Sequence, residues 1–341
     1  MADHENLNPR AQSAETRVVC DRAVFTSLPS PLGEGYRIVT SSSGVRAEEK
    51  IEITRRSPSH GALCSAAPGA RGVTISTLAG GRVCVSLSRQ AGAEHTGRGG
   101  RVWTDILLTG AQDFLVAGGH PAAFQEALAS SPLPAVKLAP YVEKLAVQSR
   151  PAEAAPGLLP VAGLAEQSLA PMAALLTERS ACIVAVADPV ASLELLLRLL
   201  PLALRSGLNV SAGLRFSNSR QPTFCLVDQV DLETRRMTRG RPVALLDAEG
   251  LAGRPLGILA PWLNLVMRWR SEGRGAEAMT LAGSLRAGCS VQDILDVARL
   301  CESIDRSEEN PEVLERMLAR LAERPGSRAA AAAATVVAPS V

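Results

Sequence analysis

The stretch RVVCDRAVFTSLPSPLGEGYRIVTSSSGVRAEEKIEITRRSPSHGAL, Arg17 to Leu63, carries an apolar run into a Pro/Gly turn, a Tyr-Arg pair, a helix-like segment and the turn Ser57-Pro58-Ser59-His60-Gly61. Arg17 to Ser27 reads as a strand, Gly35 to Thr40 as a second strand after the turn, and Val45 to Arg56 as a short helix. Further on, Val73 to Thr77 and Arg82 to Ser88 flank Ala79-Gly80-Gly81. Val83, Val85 and Leu87 alternate with Cys84, Ser86 and Ser88, the period of a strand with one buried face, so a hairpin is expected. Arg101 to Thr109 reads as another strand after Gly97 to Gly100, and Pro121 to Ala129 as a helix opened by its proline. The N-terminal part, residues 17–150, is therefore expected to be an α+β domain on a mostly antiparallel sheet.

Residues 130 to 170 are rich in Pro and Ala with few periodic signals, which places a boundary near Arg150. Ala181 to Ala187, ACIVAVA, has the continuous apolar character of a buried strand, and Asp188-Pro189 supplies an N-cap and a first helical residue. Leu193, Leu196, Leu197, Leu200 and Leu204 share a helix face that Leu195, Leu199 and Leu202 widen, with Pro201 set to kink or end the helix. Alternation from Leu208 to Phe216, then Thr223 to Val230, completes a β-α-β-β middle unit over 151–255. From 256 to 324 the pattern is helical: Trp262, Leu263, Val266 and Trp269, then Val291, Ile294, Leu295, Ala298 and Cys301. Ser290 and Asp293 resemble a capping box, and a last helix is expected from Asn310-Pro311, carrying Leu314, Met317, Leu318 and Leu321. Residues 1–16 and 325–341 are weakly patterned and expected to be disordered tails.

The 341 residues, 46% hydrophobic, suffice for a large core. Lys+Arg at 36 nearly cancel Asp+Glu at 34, so no overall field draws the chain to nucleic acid or an anionic membrane. The seven cysteines lack paired spacing and lie mostly in apolar runs, as reduced core thiols do. With a polar N-terminus and no membrane-length apolar run, a cytoplasmic location is expected.

Few residues offer chemistry. Of four histidines at 4, 60, 95 and 120, His60 has the most suggestive setting. Ser57 or Ser59 with His60 and Asp105 would make a nucleophile, a base and an orienting carboxylate if the fold brought them together; the plainer reading is a turn bonded to its own backbone. Cys20, His60, Cys64 and Cys84 lack the close pairs of a structural zinc site, so no metal is expected. Gly33-Glu34-Gly35 and Gly97-Arg98-Gly99-Gly100-Arg101 lack the Gly-Lys-Ser/Thr ending of a phosphate loop, and no cofactor is expected. Arg235, Arg236, Arg239 and Arg241, in TRRMTRGR, form the densest basic patch, a candidate for phosphate or an acidic partner on a solvated loop; without aromatic neighbours, nucleic acid is disfavoured. Tyr36, Trp103 and Trp269 are scarce large aromatics of the kind that anchor interfaces, although core packing suits the tryptophans better.

AVFTSLPSPLGEGYRIVTSSSGV, SPSHGAL, RVWTDILLTGAQDF and LRLLPLALRSGLNVSAGLRFSNS together resemble the bacterial GTPase-associated protein family, covering its N-terminal domain of the second type and part of its middle domain. The family's Gly-Tyr-Arg strand, serine-rich turn and helix correspond to Gly35, Tyr36, Arg37, Ser41 to Ser43 and the segment from Val45. Its Arg-x-x-x-(Asp/His) strand corresponds to Arg101, Asp105, Leu107 and Leu108, with Asp105 where many relatives carry histidine. The resemblance implies a non-catalytic adaptor acting beside a small GTPase or related NTPase in signalling or defence. Tyr36, Arg37, His60, Trp103 and Asp105 are the residues expected to contact that protein partner.

Overall fold

A computed structural model of the chain describes residues 17–29, 35–94, 99–132, 142–148, 164–178, 180–220, 222–247, 250–251, 253–286 and 288–305. The expected tails and the helix from Asn310-Pro311 lie outside the described residues. The fold is α+β, with ten strands among the described residues in a mixed sheet and helices against both faces.

The N-terminal strands are β1 (Arg17–Ser27), β2 (Tyr36–Ser41), β3 (Arg71–Thr77), β4 (Val83–Ala93), β5 (Gly100–Thr109) and β6 (Leu145–Gln148). The later ones are β7 (Cys182–Ala185), β8 (Val210–Ala212), β9 (Phe224–Val227) and β10 (Ala244–Leu246). Their spatial order is β10-β7-β9-β8-β3-β4-β5-β1-β2, with β6 alongside the first four residues of β1. Pairs from β8 through β3 to β2 are antiparallel, whereas β8, β9, β7 and β10 run parallel. One sheet thus runs through both the 17–150 and the 151–255 segments.

Strand alternation assigns the core. On one face Cys20, Val73, Ile75, Val83, Val85, Leu107, Val184, Val210 and Phe224 form a single cluster. It is roofed by α2 (Ala111–Val116), α3 (Pro121–Ser130), α4 (Glu166–Thr177), α5 (Pro189–Leu199), α7 (Ala260–Ser271), α8 (Gly275–Ser284) and α9 (Val291–Asp305). On the other face α1 (Ala47–Arg56) covers Ala23, Phe25, Cys84, Ile106 and Leu108. There too α6 (Leu232–Thr238) brings Met237 onto Ile183, Cys225 and Val227. None of the described helices is long and apolar enough to cross a membrane.

Helix ends follow local chemistry. The Asp188 carboxylate accepts the Ala191 amide at 3.0 Å, Pro189 takes the first helical position, and α5 stops at Leu199, before Pro201. In α1 the Glu49 carboxylate accepts the Arg46 amide at 2.9 Å, and the helix ends where Ser57 precedes Pro58. Ser290 and Asp293 form the expected reciprocal cap, with Asp293 accepting the Ser290 amide at 2.8 Å. Trp262 buries its ring and donates to Leu199 O at 2.9 Å, seating α7 on the end of α5.

Three expectations fail. The strand expected over Leu208 to Phe216 keeps only Val210–Ala212 in ladder, because Gly213 turns at φ +70°, and a Cβ there would strike Arg71 O. The basic run expected as a loop starts on α6, capped by Asp231 through the Thr234 amide at 2.7 Å. The quiet interval before residue 170 holds β6 and the beginning of α4, whose residues from Ser168 to Leu176 are all buried.

Where α3 begins, an ionisable cluster joins it to α5. The Arg205 guanidinium, 3% exposed, donates to Leu200 O at 2.8 Å and Gly118 O at 2.8 Å, tying the turn before α3 to the end of α5. His120 Nδ1 lies 3.5 Å from the Glu194 carboxylate. Burial pushes Glu194 up to about 7, against the charge of Arg198, the Ala122 amide and Arg205. A carboxyl raised in the folded state contributes stability that is complete below its ordinary range and is lost as pH rises through the raised value. Glu194→Gln should match the parent chain at about pH 4 and exceed it by up to about 3 kcal/mol at about pH 8. Urea titrations at the two pH values measure this, and parallel pH profiles would show that Glu194 is solvated.

Candidate functional site

Tyr36 opens β2, among the described residues the last strand on its side of the sheet, opposite Ser27 of β1. Its ring lies 5.8 Å from that of Phe25 and 6.4 Å from that of His60, and its hydroxyl accepts the Val102 amide at 2.9 Å. Burial raises the phenol above its ordinary range, with Glu94 adding to the effect against the Val102 amide and Arg101. The Arg37 guanidinium reaches back to Leu28 O at 3.2 Å and Gly35 O at 3.4 Å, clasping the two ends of the connection between β1 and β2.

His60 is exposed on a turn that its own backbone closes: the Ser57 amide donates to Ile53 O at 2.8 Å and the Ala62 amide to Ser59 O at 3.2 Å. Gly61 supplies the left-handed residue at φ +69°. The segment after β8 then holds the turn, through Cys64 N to Gly213 O at 3.0 Å and Arg215 N to Ala62 O at 2.8 Å. Tyr36 and His60 therefore form a half-buried rim whose position depends on residues more than a hundred places along the chain.

Trp103 and Asp105 do not join that rim. Val102, Ile106 and Leu108 pack on the face shared with Tyr36, so alternation along β5 turns Trp103 and Asp105 to the opposite face. Trp103 is fully buried and Asp105 7% exposed. The Trp103 indole donates to Asp105 Oδ2 at 2.9 Å, Arg22 pairs with Asp105 Oδ1 at 2.7 Å, and the Arg89 guanidinium lies 5.3 Å over the Trp103 ring. Of the residues expected to meet a partner, Trp103 and Asp105 are thus buried on the face opposite Tyr36, and no Ser57 or Ser59, His60 and Asp105 arrangement is assembled. Cys20 and Cys84 likewise belong to opposite faces. No group of three or more metal-ligating side chains converges among the described residues.

A charged network that the sequence reading passed over fixes the opening strand. Asp21, 6% exposed, accepts Ser42 Oγ at 2.8 Å and Arg82 Nη2 at 2.7 Å, with Lys144 Nζ 3.4 Å away. Arg82 also donates to Leu108 O at 2.9 Å and to Glu49 at 3.3 Å, linking β1, β5 and α1. Burial raises the Asp21 carboxyl, but the Ser42 and Arg82 hydrogen bonds and the Arg82 and Lys144 charges outweigh it, so Asp21 titrates below its ordinary range. Glu49 does the same: burial is overcome by the Arg46 side chain and amide and by Arg82. Gly44 belongs here because a Cβ at that position would enter the Asp21 carboxylate. The sequence signal was Asp21-Arg22 itself, two charges inside an otherwise apolar strand.

Arg235, Arg236, Arg239 and Arg241 are all exposed, the first two in the last turn of α6 and the others in the turn towards β10. Thr234 and Thr238 face inward, so the arginines project from the outer side together with Leu232, which is 75% exposed.

Residues 20–156 match the family model described as GTPase-associated protein 1, N-terminal domain type 2. The resemblance in the N-terminal part is therefore shown, over a span that includes Tyr36, Arg37 and His60. No curated protein and no solved structure matches the chain.

The Arg22–Asp105 pair has side chains only 4% and 10% exposed. Removing one partner strands the other charge in the sheet, so Asp105→Ala should cost about 3–5 kcal/mol of unfolding free energy. Replacing both, with Arg22→Met and Asp105→Leu, should restore most of it. Urea denaturation of the single and double variants measures this; a single variant within about 0.5 kcal/mol of the parent would show the pair to be solvated.

Proposed function

We propose that this chain is a cytoplasmic recognition protein that works beside a GTPase and acts by binding a protein partner through the Tyr36, Arg37 and His60 rim. The single observation that carries the reading is the coincidence of the GTPase-associated domain match, residues 20–156, with a terminal strand that presents this rim at the sheet edge. Trp103 and Asp105 support the rim from the opposite face by holding β5, to which Tyr36 bonds through the Val102 amide. Ile51, 63% exposed on α1, adds an apolar contact on the helix that packs against β2. The partner is a small GTPase or related NTPase of the same bacterial system, as the family resemblance implies.

Mixing the purified chain with a small GTPase of the same bacterial system, loaded with GDP or with a non-hydrolysable GTP analogue, tests the proposal by titration calorimetry. One nucleotide state should bind, and His60→Glu should weaken it by about tenfold without shifting the melting temperature. Absence of a complex in both states, or undiminished affinity in the variant, refutes it.

A further inference from the structure

The opposite end of the sheet carries a second surface, independent of the rim. There β10 is the terminal strand, paired with β7 on one side and with no strand on the other among the described residues. The Ala244 amide donates to Ala181 O at 3.0 Å. Strand backbones alternate, so the amide and carbonyl of Leu245 face away from β7, on the side where no strand pairs with β10 among the described residues. The chain enters this edge from the basic run: Arg239 follows α6, the Arg241 amide bonds Thr238 O at 3.0 Å, and Pro242 and Val243 lead straight into Ala244. On α6, Leu232, Arg235 and Arg236 fall at helix positions i, i+3 and i+4, one outward stripe of a large apolar side chain and two guanidinium groups, and the exposed Arg239 follows where the helix ends.

Among the described acidic residues nearby, Asp231 accepts the Thr234 amide at 2.7 Å, Glu233 lies 3.9 Å from Arg215, and Asp247 accepts the Gly250 amide at 2.7 Å. None of these three forms an ion pair with Arg235, Arg236, Arg239 or Arg241. Three features point to the chemistry of a partner. An open strand edge takes up extended backbone rather than a helix. Guanidinium groups in a row match carboxylates. All three tryptophans are fully buried, so this surface offers no large aromatic platform on which bases could stack.

We propose that β10 and the arginines 235, 236, 239 and 241 form a docking site for an acidic protein segment in extended conformation, which adds a strand to the sheet at Leu245. Main-chain bonds at the edge supply the grip, and the arginines select acidic side chains and set the approach.

The full chain, titrated against a fluorescein-labelled peptide of alternating glutamate and valine, tests the site by anisotropy. Saturable binding is expected. Reversing two charges, Arg239→Glu with Arg241→Glu, should weaken it by about tenfold or more. Leu245→Pro, which removes an amide that points away from β7, should weaken it comparably while the arginines remain. Hydrogen exchange on the parent chain gives a readout independent of variant folding: the Leu245 amide should become protected when the peptide binds. No saturable binding, an unprotected Leu245 amide at saturation, or equally tight binding of a single-stranded oligonucleotide of the same charge overturns the proposal.

Discussion

Val73, Thr74 and Ile75 of β3 pair with Ala212, Ser211 and Val210 of β8, and across these three residues the hydrogen-bond ladder passes from an antiparallel sheet to a parallel one. The rest of the architecture depends on that contact. Because the pleat carries through, Val73 and Ile75 face the same way as Val210 and Ala212, and one apolar face extends from β7 to β1. The helices of the C-terminal part then have a surface to cover, and Trp262 and Trp269 complete the enclosure. The same junction positions the His60 turn, since Gly213, directly after β8, accepts the Cys64 amide.

Charges inside the sheet make a different contribution from the apolar face. Hydrophobic burial is non-directional, whereas Arg82, bonded to Asp21, Glu49 and Leu108 O, fits only one arrangement of β1, β5 and α1. Arg22 between Asp105 and Ser131 O does the same for β1, β5 and the end of α3. Both networks meet at the middle of β1, at Asp21 and Arg22, on the strand that contacts β2, β5 and β6. Register along β1 decides which residues reach the Tyr36 rim, so the internal charges and the exposed surface are coupled through backbone position.

The local elements of the N-terminal part were legible because each had its own signal: alternation in β4, glycine turns between strands, and acidic residues opening α1 with arginines closing it. β1 was read to its bounds. α4 was invisible for the opposite reason, since a helix buried on all sides has no polar stripe to reveal its period, and Pro171 within it reads as a breaker. α6 was hidden because its inward residues, Thr234 and Thr238, are polar. The candidate site was legible only in part. Tyr36 and His60 do meet, but Trp103 and Asp105, close to them in any list of unusual residues, differ by one step of the pleat and so occupy the other side of the sheet. Which chain segments pair is a non-local property, and without it the parity of β5 relative to β2 cannot be assigned.

The junction between β3 and β8 also bears on how the polypeptide can be divided. Severed near residue 150, the first portion would keep β1 to β6 while stripping β8 from β3, leaving Val73 to Ile75 with a bare row of amides and carbonyls. Such a fragment would find its missing neighbour in another copy of itself, and self-association of the isolated piece would be a product of the cut rather than a property of the intact molecule.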